Sequence, residues 1–114
     1  MNEYMTHYID AYKHRETTTL KINNLQIVVD KNVFTPDPKI TFSSTLLINF
    51  LYNYQKDNKH RLKHKKILDV GCGCGVLSTF ALVYGAKFVC AVDIDIEALK
   101  NTQINLDRKS TRLN

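Results

Sequence analysis

"DVGCGCGVLS" spans Asp69 to Ser78, and its reading decides the fold. Three glycines alternate with two cysteines between a short apolar run, "KILDV", and a longer one, "VLSTFALVYGA". The first run reads as a buried strand. The second reads as a helix, with Gly85 placed to stop it. Glycine lets the chain turn tightly and lets a ligand approach the backbone. The helix start adds free N–H groups. A strand that enters such a turn and leaves it as a helix therefore reads as a loop that cradles a ligand. The competing reading is a pair of thiols holding a metal.

Downstream, "KFVCAVDI" reads as a second buried strand and "DIEALKNTQINL" as a second helix, with Asp95 placed to cap it. Strand, helix, strand, helix with short connections predicts a parallel α/β unit with a right-handed crossover. Ligands of such sheets bind beyond the carboxyl ends of the strands. Asp69 ends the first strand. Asp93 ends the second, about 20 residues past the glycines, where a carboxylate accepts hydrogen bonds from ribose hydroxyls.

The glycine spacing limits the choice of ligand. The dinucleotide fingerprint is G-x-G-x-x-G. Here Gly71, Gly73 and Gly75 give G-x-G-x-G, and Val76 stands where the fingerprint wants a small residue. Asp69 would repel a pyrophosphate but not an amino group or a sulfonium. Charge therefore favours S-adenosylmethionine over NAD. Zinc needs four ligands, usually with C-x₂₋₄-C spacing. Cys72 and Cys74 are C-x-C, and Cys90 lies within an apolar strand, so the cysteines read as small fillers and a core residue. No metal is expected.

Upstream, "LKINNLQIVVDKNVF" predicts two short strands with Asn23–Asn24 as the turn. "TPDP" interrupts the pattern. Phe42, Leu46, Leu47, Phe50, Leu51 and Tyr54 then recur on one face of a helix, with Tyr54 read as core. The net charge is +5, and Lys59, Arg61, Lys63, Lys65 and Lys66 crowd into "KHRLKHKK". That run reads as a solvated linker, since it holds no aromatic residue to stack on bases. His60 and His64 within it read as exposed. No apolar run approaches the roughly 20 residues of a membrane helix, and no secretory signal is visible. Three cysteines, two of them flanking one glycine, do not suggest a disulfide framework, so a reducing cytoplasm is expected.

"ILDVGCGCGVLSTFALVYGAKFVCAVDIDIEALKNTQINL" closely resembles the first half of the class I S-adenosylmethionine-dependent methyltransferases. It is most similar to their small methyltransferase domain group, which includes release-factor glutamine methyltransferases, ribosomal-protein methyltransferases and RNA base methyltransferases. The glycine motif, "GA", "VDID" and the helix that follows carry the resemblance. Upstream, "NVFTPDPKITFSSTLLINFL" is similar to the segment that precedes the domain in the same group.

The resemblance implies the amino-terminal half of a Rossmann-like doubly wound parallel sheet, preceded by a β-hairpin and a helix. It implies S-adenosyl-L-methionine as cofactor and methyl transfer to nitrogen on a protein or RNA substrate. Asp69, Gly71, Cys72, Gly73 and Gly75 would lie under the methionine part of the cofactor. Asp93 would take the ribose and Ile94 the adenine. Phe34 and Thr41 would close the pocket from the amino-terminal side. Cys74 departs from the small residue usual in the family, but a thiol is small enough to fit.

The group's substrate motif, Asn/Asp-Pro-Pro-Tyr/Phe, is absent, since Pro36 and Pro38 are the only prolines. The expectation is an incomplete enzyme whose catalytic residues and acceptor are not legible. It divides into an extension (1–40), a cofactor-binding half (41–106) and a tail (107–114). The tail, "DRKSTRLN", equals one reading frame of a common sequencing adapter and is expected to be non-native. Two other classes remain open: a fragment of an NAD-dependent oxidoreductase, and a small basic RNA-binding module without catalysis.

Overall fold

A computed structural model of the chain describes residues 16–22, 25–33, 43–57 and 62–112. Strand β1 (Thr18–Ile22) pairs antiparallel with β2 (Leu25–Val29), from Thr18 opposite Val29 to Ile22 opposite Leu25. The expected hairpin is therefore present, with its Asn23–Asn24 turn outside the described residues. Helix α1 (Ser43–Asp57) leads towards β3 (Lys66–Val70), helix α2 (Val76–Val83), β4 (Phe88–Val92) and helix α3 (Ile96–Arg112). Strands β3 and β4 are parallel, with Lys66 opposite Phe88 and Val70 opposite Val92. The strand–helix–strand–helix reading holds.

Local chemistry sets the element ends. Helix α2 is apolar almost all round, so it is driven to the centre. It contacts α1, α3, β3 and β4. It stops at Gly85, whose φ is 95°. The Ala86 N–H reaches Ala81 O at 3.0 Å and the Gly85 N–H reaches Leu82 O at 3.1 Å, which satisfies carbonyls that the helix end leaves open. Helix α3 starts at Asp95, whose Oδ1 accepts the Glu97 N–H at 3.0 Å. It continues to Arg112, past Leu106 where the apolar period stops. A Gln103–Asp107 side-chain bond of 2.8 Å supports that stretch along one face.

One core joins hairpin and sheet. Ile22, Leu25, Ile27, Val29 and Val33 pack with Ile48, Leu62, Cys74, Val76, Phe80 and Ala98. Phe80 is fully buried, with its ring 4.6 Å from that of Tyr84. Tyr84 meets Tyr52 of α1 edge-on at 6.1 Å.

Three expectations need correction. The buried side of α1 is Ile48 and Gln55, with Leu51 and Tyr52 half-buried, while Leu46, Leu47, Phe50 and Tyr54 are exposed. The helix is apolar over an arc wider than one stripe, and its contact with Tyr84 selects the other side of that arc. Strands β3 and β4 are not buried on both faces: Leu68 is 65% exposed and Val70 73%. Cys90 shares that open face and is exposed, not core. The physical reason is that the α2–α3 pair covers only the face carrying Ile67, Asp69, Val89 and Ala91. No helix among the described residues is long and apolar enough to cross a membrane.

Candidate functional site

Strand β3 ends at Val70 and the chain turns at once. The N–H groups of Gly71 and Cys72 both donate to Val92 O, at 2.8 and 3.0 Å, which pins the loop to the end of β4. The Gly75 N–H closes the turn on Cys72 O at 2.9 Å. Gly71, Gly73 and Gly75 have φ of 73°, 56° and 86°, a region that costs a residue with a Cβ about 1–2 kcal/mol.

The glycines do different work. A Cβ on Gly75 would lie 2.9 Å from the Thr102 backbone, so this glycine admits α3 against the loop. A Cβ on Gly71 or Gly73 would meet nothing within 4 Å. Those two leave the outer side of the loop open. A hollow of about 410 Å³ lies there, lined by Val70, Gly71, Val92, Asp93 and Ile94.

Two carboxylates flank the loop. Asp93 Oδ2 accepts the Gly73 N–H at 3.0 Å and Oδ1 accepts the Asp95 N–H at 2.9 Å. A carboxylate has about four lone-pair sites, so roughly two remain for a ligand in the hollow. Asp69 is buried, and its Oδ2 accepts the Ser78 hydroxyl at 2.6 Å. No ion pair to Asp69 occurs among the described residues. A buried carboxylate held by one hydroxyl suits a cationic ligand group, since buried charges are stable when paired. Ile94 is fully exposed beside Asp93, an apolar surface at the lip of the hollow. Asp69 lines not this hollow but a neighbouring cavity of about 320 Å³, with Leu47, Leu51 and Leu77. At the hollow itself, the spare acceptor sites of Asp93 suit the hydroxyls, and the apolar Ile94 the flat ring, of a ligand such as S-adenosyl-L-methionine.

The cysteines stay inside the loop. Cys72 and Cys74 are buried. Burial pushes the Cys72 thiol above its ordinary range. A hydrogen bond from Thr102 opposes this, and the charges of Asp69 and Asp93 reinforce it. A thiol kept protonated is a poor nucleophile. Among the described residues no three His, Cys, Asp or Glu side chains gather where they could hold an ion.

A family model described as "Ribosomal protein L11 methyltransferase (PrmA)" matches residues 14–113. The chain belongs to the ribosomal protein L11 methyltransferase family. Its resemblance to the class I methyltransferases is thereby borne out. Two proteins named ribosomal protein L11 methyltransferase illustrate the likeness. One from Prochlorococcus marinus (strain MIT 9312) is 36% identical over 85 residues, covering 75% of this chain and 28% of the relative. One from Legionella pneumophila (strain Lens) is 59% identical over 44 residues, covering 39% of this chain and 15% of the relative. The chain thus spans less than a third of the length of these L11 methyltransferases.

Of the residues expected at the site of this family member, Asp69, Gly71, Cys72, Gly73, Gly75, Asp93 and Ile94 converge on the loop and the ends of β3 and β4. Phe34 and Thr41 lie outside the described residues. Sequence reasoning missed Ser78, which holds Asp69, and the side of α3 that backs the loop. Thr102 donates to Gly73 O at 2.8 Å and lies 3.3 Å from Cys72 Sγ. Asn105 donates to Cys74 O at 2.7 Å. The signal was present: Ala98, Asn101, Thr102 and Asn105 recur at the spacing of one helix face, and all four are buried. Three polar residues on a core stripe needed partners, and the loop and β2 provide them.

Proposed function

We propose that this chain carries the S-adenosyl-L-methionine-binding half of a protein methyltransferase. In this reading β3–α2–β4–α3 begins a Rossmann-like, doubly wound parallel sheet. The observation that carries it is the pair of carboxylates around an open glycine loop: Asp93 with acceptor capacity towards the hollow, and Asp69 buried with one hydroxyl partner.

Asp93 takes the ribose hydroxyls and Ile94 packs on the adenine. Asp69 attracts the cationic methionine end. Gly71, Cys72, Gly73 and Gly75 shape the backbone beneath it. When bound, the cofactor supplies a methyl group activated by a sulfonium. The chain contributes orientation and electrostatic fit, and Cys72, held neutral, takes no covalent part. The relatives' name supports a ribosomal protein as acceptor, and hence a cytoplasmic setting.

Calorimetric titration tests this reading. Saturable binding of S-adenosylhomocysteine with no heat from NAD supports it. Binding of NAD with equal or greater affinity overturns it.

A further inference from the structure

Strand β2 has β1 on one side and, among the described residues, no strand on the other. Two asparagines of α3, one helical turn apart, take the place of that missing neighbour. Asn101 Oδ1 accepts the Asp30 N–H at 2.8 Å, and its Nδ2 donates to Val28 O at 2.8 Å. Asn105 Oδ1 accepts the Val28 N–H at 2.8 Å, and its Nδ2 donates to the same Val28 O at 2.8 Å. Both residues are 1% exposed. They differ in one respect. The second Nδ2 hydrogen of Asn105 goes to Cys74 O at 2.7 Å, inside the glycine loop.

That bond acts together with its neighbour. Thr102 holds Gly73 O and Asn105 holds Cys74 O, so two successive loop carbonyls are turned back onto α3. With the carbonyls drawn inward, the Gly73 N–H is left to Asp93 and the outer side of the loop stays clear. The Asn105 amide has no slack. Both its hydrogens are spent, and reversing it would set its oxygen against two carbonyls.

We propose that Asn105 is a positioning residue for the cofactor loop. Through it the amino-terminal hairpin, which lines no part of the hollow, sets the conformation of the loop that does. Asn101 makes the same kind of bond to β2 without reaching the loop, and so carries stability alone. The consequence for cofactor rests on the function proposed above; the effect on the loop does not.

The test compares Asn105→Leu with Asn101→Leu in the chain as it stands. Leucine is close in size to asparagine, and each change strips polar partners from β2. Thermal midpoints should fall in both. Amide hydrogen exchange at Gly73 and Gly75 should speed up about tenfold beyond the global change in Asn105→Leu alone, as for one lost bond to a buried carbonyl. S-adenosylhomocysteine affinity should fall about tenfold in the same variant and stay near wild type in Asn101→Leu. If Asn105→Leu does not fold, Asn105→Ser, too short to span β2 and the loop, gives the same comparison. Equal loop exchange in the two variants overturns the positioning role. Failure of the unaltered chain to bind S-adenosylhomocysteine counts against the proposed function instead, and the exchange comparison still decides the role of Asn105.

Discussion

The carboxylate of Asp93 accepts the amide hydrogen of Gly73 at 3.0 Å, across 20 residues of sequence. The bond makes the end of β4 and the glycine loop one unit. A ligand that engages either must feel the other. Asp93 also accepts the Asp95 N–H, so the same carboxylate supports the turn that leads into α3.

Asp93→Ala is therefore expected to weaken S-adenosylhomocysteine binding more than Asp95→Ala. The first loses a loop anchor and, under the proposed function, the ribose contact, a charge-assisted set worth about 1.5–3 kcal/mol. The second loses a helix cap, costing about 1 kcal/mol of stability and little affinity. Calorimetry and thermal denaturation on both variants separate the two effects. Equal affinity losses would remove the ribose assignment.

Gly75→Ala and Gly73→Ala should behave differently. At Gly75 a methyl group collides with the Thr102 backbone, so strain and overpacking add to roughly 2–5 kcal/mol of lost stability. At Gly73 the space is open and only the φ penalty of about 1–2 kcal/mol applies. That protein should fold, and under the proposed function it should lose cofactor affinity, because the methyl projects into the open space outside the loop. Urea denaturation paired with ligand titration checks this. A Gly75→Ala chain as stable as wild type would contradict the packing of α3 on the loop.

Thr79 and Phe80 are adjacent in α2, and both are buried. The Thr79 hydroxyl has no hydrogen-bond partner among the described residues. Thr79→Val keeps the shape and removes the unpaired group, so stability should hold or rise. Phe80→Ala should cost about 3–5 kcal/mol. Denaturant midpoints decide both, and a large loss in Thr79→Val would show that the hydroxyl is bonded.

The thiols should separate by rate. Cys90 is exposed, so it should react with Ellman's reagent at once at pH 8, with Cys72 and Cys74 following only as the chain opens. The pH dependence follows from the raised Cys72 pKa. Its protonated form is favoured in the folded state. That contribution is whole below the unfolded thiol value of about 8.5 and is lost as pH rises through the folded value. Tyr84, raised by burial and by Tyr52, acts with the same sign at higher pH. Between pH 8 and 10, Cys72→Ala should therefore lose less stability than wild type. An identical decline in the two proteins would contradict this.

Much of the site was legible because its chemistry is local. Gly71, Gly73 and Gly75 announce a turn that only glycine makes, and Asp69 and Asp93 fall at strand ends because an apolar run stops there. The Asp95 cap and the Gly85 stop are likewise contacts between near neighbours. The helix spacing shows Asn101, Thr102 and Asn105 on one buried stripe, but the distant partners they reach are encoded in no local pattern. Asn105 meets Val28 from 77 residues away. The exposed face of Leu68, Val70 and Cys90 was misread for a related reason: an apolar strand looks the same whether one or both of its faces are covered.

Under the proposed function the open loop and the end of β4 form one cofactor site. Amide chemical-shift mapping by NMR during titration with S-adenosylhomocysteine tests it most directly. Saturable shifts concentrated at Gly71 to Gly75 and at Asp93 and Ile94 are expected, with none from NAD. Shifts that saturate elsewhere, with those seven amides unmoved, would contradict it.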